Sequence, residues 1–130
     1  TGTSGWTVSI GAPVGSYVTN LNVQGTITAT GDVIAYSDER LKSNIKTLDG
    51  SKVYEMRGVS FDKDGKKSSG VIAQEMEKVA PELVNQESEY LGVAYGNISG
   101  YLIEAIKELK AEIDLLKSKP CTCNKCNCNI

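Results

Sequence analysis

Apolar residues along this chain pass from the alternation of strands to the spacing of helices. Trp6-Thr7-Val8-Ser9-Ile10 alternates until Gly11-Ala12-Pro13 interrupts it. Leu21-Asn22-Val23-Gln24 and Thr26-Ile27-Thr28-Ala29 alternate again, with Gly25 and Gly31-Asp32 as turn signals. Large apolar residues are few here, so residues 1–36 bury little by themselves. Two readings fit: a disordered linker, or the end of an intertwined β-stalk whose core is shared between chains. The β-branched alternation favours the stalk.

From residue 37 the charge density rises. Ile45 and Leu48 stand at helical spacing, and Val53-Tyr54-Glu55-Met56-Arg57-Gly58-Val59-Ser60-Phe61 reads as a strand or strand pair. It ends at Asp62-Lys63-Asp64-Gly65-Lys66-Lys67, a solvated hairpin turn. The turn is favoured over a calcium loop, because the rest of the twelve-residue pattern is missing and no acidic residue closes it. Ile72, Met76 and Val79 share one face of a helix that Pro81 ends, and Tyr90–Tyr95 reads as a short apolar strand.

The last periodic segment is the clearest. Leu102, Ile106, Leu109, Ile113 and Leu116 form a heptad seam, flanked by Glu104, Lys107, Glu108, Lys110, Glu112 and Lys117. Three heptads are short for a lone coiled coil, so the seam needs partners or a bundle. A mixture of Ile and Leu is compatible with three strands rather than two without requiring it. The plainer reading is a surface helix packed on its own domain; the narrow seam with charged flanks favours self-association.

Composition narrows the picture. At 130 residues, 40% hydrophobic and only 6% aromatic, the chain makes a thin core, for which oligomerisation is a common remedy. A net charge of −2 gives no pull toward nucleic acid or an anionic membrane. No apolar run approaches the roughly 20 residues of a membrane span. Beginning at Thr1 without Met, the chain is expected to be a piece of something longer. The absence of histidine removes Ser-His-Asp and Cys-His chemistry and the usual zinc triads.

All four cysteines follow Pro120, as Cys121-Thr122-Cys123-Asn124-Lys125-Cys126-Asn127-Cys128. The spacing is too compressed for two structural zinc knuckles. Soft-metal binding by Cys121, Cys123, Cys126 and Cys128, stapling between neighbouring chains, and a thiol-rich tail without chemistry all remain open. No cofactor is expected.

At the seam between the two halves stands Tyr36-Ser37-Asp38-Glu39-Arg40-Leu41-Lys42-Ser43-Asn44-Ile45, with a serine five residues before a lysine. Taken alone, Ser37-Asp38-Glu39 is an ordinary helix N-cap with acidic residues in the first turn, and Lys42 a solvated side chain. The other reading is a chain cut at this point. A serine hydroxyl needs a base, and without histidine a neutral amine is the best candidate. Free lysine titrates near pH ~10.4, so Lys42 must be desolvated or placed near other cations to act at neutral pH. Arg40 would contribute such repulsion; Asp38 and Glu39 oppose it.

Ser37–Ile45, Gly70-Val71-Ile72-Ala73-Gln74-Glu75, Pro81-Glu82-Leu83-Val84 and Leu102-Ile103-Glu104-Ala105-Ile106-Lys107-Glu108-Leu109 occur in this order. Together, over about residues 35–117, they resemble the C-terminal intramolecular chaperone domain (peptidase S74 family) of bacteriophage tail fibres, tailspikes and endosialidases. A related domain occurs in the myelin regulatory factor transcription factors, although no basic patch here fits DNA. The lead-in Asn22–Ala29 resembles the end of a phage fibre stalk.

The resemblance implies an α+β fold within an intertwined homotrimer. Its parts would be a β-stalk remnant at 1–36 and a small α/β chaperone and auto-peptidase body at 37–119, while the Cys-rich tail at 120–130 lies outside the family pattern. A three-stranded helical coiled coil would occupy about 99–118. It implies that the domain trimerises, guides the preceding β-stalk of the same polypeptide, and releases itself with a Ser-Lys dyad. Carried over, Ser37 and Lys42 are the dyad and the cut falls between Ser37 and Asp38. The expected partners are two further copies and the stalk, with no nucleic acid and no membrane. Assembly would occur in the bacterial host cytoplasm, leaving the fibre in the virion tail and the released chaperone outside it. The competing functions are a non-cleaving trimerisation cap and a receptor-binding tip of the fibre.

Overall fold

A computed structural model describes residues 20–120. Two compact units divide the chain, Thr1–Ser43 and Asn44–Ile130. In the first, no strand forms among the described residues 20–36, and all of them are exposed. The alternation at Leu21–Gln24 and Thr26–Ala29 therefore does not become strands in a single chain. A strand needs a partner for its backbone groups, and among the described residues this segment has none. The expected strand at Trp6–Ile10 lies outside the described residues. Among the unit's described residues the one regular element is a 3-10 turn, Glu39–Leu41.

The second unit mixes helix and strand, as the α+β expectation requires. Residues 42–49 are not helical, despite the spacing of Ile45 and Leu48. Asp49 then caps a 3-10 helix over Gly50–Glu55, accepting the Ser51 N–H at 3.0 Å. The strand expected from Val53 starts instead at Val59: β1 spans Val59–Lys63 and pairs antiparallel with β2, Lys66–Gly70. Asp64 and Gly65, at φ 52° and 74°, form the two-residue connection. Both residues are left-handed, as a hairpin turn matched to strand twist demands. β2 is almost wholly polar and carries no period to reveal it.

α1 spans Ala73–Val79 and stops at Ala80, before Pro81 opens a 3-10 turn over Pro81–Leu83. Proline has no N–H to continue the ladder, which is why the helix ends there. The two-residue strands β3, Val84–Asn85, and β4, Gly92–Val93, pair antiparallel, so the Tyr90–Tyr95 expectation shrinks to its centre. A 3-10 turn, Tyr95–Asn97, leads into α2, Ile98–Ser118.

The core is small: Met76, Ala80, Leu83 and Tyr101 are buried, ringed by Val53, Met56, Val71, Val84 and Ile98. Tyr101 and Ala105 are the buried residues of α2, on the face that meets the 3-10 helix at Gly50–Glu55. Gly50 makes that approach possible, since a Cβ there would lie 2.3 Å from the Ala105 backbone nitrogen. Its N–H donates to Glu108 Oε1 at 2.9 Å. This packing replaces the extended conformation that the local sequence prefers.

α2 thus has two apolar faces with different fates. Leu102, Ile106, Leu109, Ile113 and Leu116 remain 45–65% exposed while Tyr101 and Ala105 are covered. Followed through, the heptad puts isoleucine at a (Ile106, Ile113) and leucine at d (Leu102, Leu109, Leu116). That arrangement favours two strands in parallel coiled coils. The seam residues consequently do not argue for three.

Candidate functional site

Ser37 and Lys42 meet. Lys42 Nζ donates to Ser37 Oγ at 2.6 Å and to the Ser37 carbonyl oxygen at 3.0 Å. The intervening 3-10 turn makes this contact possible. Leu41 N–H donates to the Asp38 carbonyl at 3.1 Å and Lys42 N–H to the Glu39 carbonyl at 3.0 Å. Asp38 and Lys42 flank the turn in extended conformation. Five fully extended residues would span about 17 Å, far beyond a lysine side chain.

The cap of this turn is Asp38, not Ser37. Asp38 Oδ1 accepts from Arg40 N–H at 2.8 Å, the bond an N-cap makes. The turn starts one residue later than the plain N-cap reading places it, which leaves the serine hydroxyl for Lys42. Arg40, considered in the sequence as a source of repulsion on Lys42, is engaged by the acid that opposes it. Its Nε donates to Asp38 Oδ1 at 2.9 Å and its Nη2 to Oδ2 at 2.7 Å, a forked ion pair.

The electrostatics follow from that fork. The Arg40 side-chain hydrogen bonds, and then its backbone N–H, hold the Asp38 carboxyl below the usual carboxylate range, with a smaller pull from the Lys42 charge. Reciprocally, the Asp38 carboxylate raises Arg40. The site is exposed, on a shallow open depression lined by Tyr36, Asp38, Arg40 and Leu41. The Asp38–Arg40 pairing escaped the sequence reading, although an acid and an arginine two apart at the start of a turn is its signal.

The heptad residues Leu102, Ile106, Leu109, Ile113 and Leu116 are brought onto one exposed stripe of α2. Cys121, Cys123, Cys126 and Cys128 lie outside the described residues. Among the described residues, no group of three or more His, Cys, Asp or Glu side chains is placed to hold a metal ion. No described helix is long and apolar enough to cross a membrane.

Residues 37–85 match the family Peptidase_S74, the chaperone of endosialidase. The resemblance read from the motifs is thereby borne out over the segment that holds Ser37, Lys42 and the hairpin. Two curated relatives are the long tail fiber proteins Gp37 of Enterobacteria phage M1 and Enterobacteria phage Ox2. Each is 36% identical over a stretch covering 67% of this chain and 41% of the relative. The match spans about two fifths of the length of these relatives.

Proposed function

From the match of residues 37–85 to the chaperone of endosialidase, we propose that the chain is the C-terminal intramolecular chaperone of a phage tail fibre. It trimerises the fibre, directs folding of the β-stalk ahead of it, and releases itself by one cut between Ser37 and Asp38. The observation that carries the reading is the single amine held on both the hydroxyl and the carbonyl oxygen of Ser37. In its neutral form Lys42 keeps an N–H on the carbonyl oxygen while its lone pair takes a proton from Ser37 Oγ or from a water beside it.

Atoms balance as a hydrolysis. The water oxygen bonds the Ser37 carbonyl carbon, the C–N bond to Asp38 breaks, and the proton passes to the departing Asp38 amine. Attack by Ser37 Oγ on its own carbonyl would close a strained four-membered lactone. Attack on the Tyr36 carbonyl closes an easier five-membered ring but cuts before Ser37. The Lys42 contact polarises the Ser37 carbonyl, which favours the water route. The exposed stripe of α2 supplies the surface for assembly, and its partners are two further copies and the stalk, with no nucleic acid or membrane. Folding and cutting take place in the host cytoplasm, and the fibre, without this domain, enters the virion tail.

The test is expression of the full-length fibre polypeptide as wild type, Ser37→Ala and Lys42→Ala, followed by denaturing gels, native mass and product masses. Wild type should yield two fragments, the second beginning at Asp38, and both variants an uncut trimer. Loss of a general base slows such a step about 10²–10⁴-fold. Lys42→Ala cutting at the normal rate removes Lys42 from the role of base. A fragment beginning at Ser37 assigns the reaction to the Tyr36 carbonyl, and an uncut wild-type trimer makes the domain a structural cap.

A further inference from the structure

Between Ser37 and Lys42 the chain is held by one charged fork. Asp38 caps the turn through Oδ1, and the same carboxylate is gripped by Nε and Nη2 of Arg40 at 2.9 and 2.7 Å. We propose that Arg40 is a positioning residue for the cut: by clamping Asp38, the residue on the amine side of the broken bond, it holds the turn that sets Lys42 on Ser37. This rests on the dyad reading above.

The sequence offers Arg40 a different part, as a cation whose charge drives a proton from Lys42. The geometry opposes that. The guanidinium is spent on the Asp38 carboxylate, so the charge facing Lys42 from this pair is largely cancelled. The charged groups on this short segment are Asp38, Glu39, Arg40 and Lys42, and only Asp38 and Arg40 are paired with each other. A fork that closes on the turn's own cap favours the folded-back backbone, and with it the 2.6 Å contact five residues apart. Lysine in place of Arg40 keeps the charge but cannot form two parallel bonds to one carboxylate. Glutamine keeps a donor and loses the charge. The pair of variants therefore separates geometry from charge.

The pair is exposed, with Arg40 at 88% and Asp38 at 40%, so the effect is modest. Exposed ion pairs correspond to about a two- to fivefold change in equilibrium at most. The experiment records the rate of self-cleavage against pH in full-length fibre for wild type, Arg40→Lys, Arg40→Gln and Lys42→Ala, with native mass confirming equal assembly. Both Arg40 variants should lower the high-pH plateau about two- to fivefold and leave the midpoint of the profile where it is in wild type. Arg40→Lys at the wild-type plateau overturns the clamp. So does a midpoint moved to higher pH in Arg40→Gln alone, which is the signature of charge repulsion. Reduced assembly in Arg40→Lys overturns it too, by placing the effect elsewhere. Cleavage by Lys42→Ala defeats the dyad itself, whereas an inert Lys42→Ala beside a fully active Arg40→Lys defeats only the clamp.

Discussion

The turn at Ser37–Lys42 and the body from Gly50 to Glu108 are held by opposite means. The turn is closed by bonds between residues at most five apart: the Asp38–Arg40 fork, two backbone bonds and the Lys42 contacts. None of its residues is buried. The body is held by contacts between segments distant in sequence: the 3-10 helix at Gly50–Glu55 against α2, and Met76, Ala80 and Leu83 against Tyr101. Local hydrogen bonds in water are each weak and independent, whereas a packed core fails as a unit. A turn built this way can be opened by the proposed cut, while the body that follows keeps its own core.

The largest expected effect is on assembly. Leu109→Asp with Ile113→Asp places charge on the exposed stripe of α2 and should abolish the assembled form in size-exclusion light scattering. The core stays intact, because Tyr101 and Ala105 lie on the neighbouring, covered face of the helix. An unchanged mass would show that the stripe is not the interface. The wild-type mass should be that of three chains, against the two that isoleucine at a and leucine at d favour.

Next in size is Gly50→Ala, whose new methyl group meets the α2 backbone. Overpacking of this kind costs about 1–3 kcal/mol, read as a lower urea midpoint. The Asp38 titration of the folded protein should stay where it was if turn and body are held separately. A shifted Asp38 titration would break the comparison, and an unchanged urea midpoint would remove Gly50 from the packing.

The smallest effect is the titration itself. Asp38 is held below the usual carboxylate range, so the fork's contribution is complete above that range and is lost as pH falls through the depressed value. Carboxyl-detected NMR should find Asp38 titrating lower than an unpaired aspartate, and Arg40→Gln should return it toward the usual range. An Asp38 value that ignores this substitution would show that the fork is not populated in solution.

How much was legible in the sequence depended on whether the signal was local. Asp64-Gly65 announced its hairpin, Pro81 the end of α1, and the heptad spacing the stripe of α2. The strand over Val53–Phe61 misled because its first half is bent into a 3-10 helix by contacts with Ala105 and Glu108, half the chain away. β2 was invisible because Lys66–Gly70 forms through its partner strand rather than through any apolar period. At the site, Ser37 and Lys42 were readable only through the resemblance of several motifs together, while the Asp38–Arg40 fork was not, since the same residues also spell an ordinary capped helix start.

The sequence alone determined the periodic elements and the want of histidine chemistry. These rest on spacing and residue type, which need no neighbours. Tertiary structure decided which face of α2 is covered, because both carry apolar residues and it is the Gly50 approach to Ala105, with Met76, Ala80 and Leu83 against Tyr101, that selects one of them. The folded turn likewise decided that Asp38 is the cap and that Arg40 is spent upon it. Competing hydrogen bonds of similar strength are resolved by three-dimensional geometry, and the order of residues does not contain it.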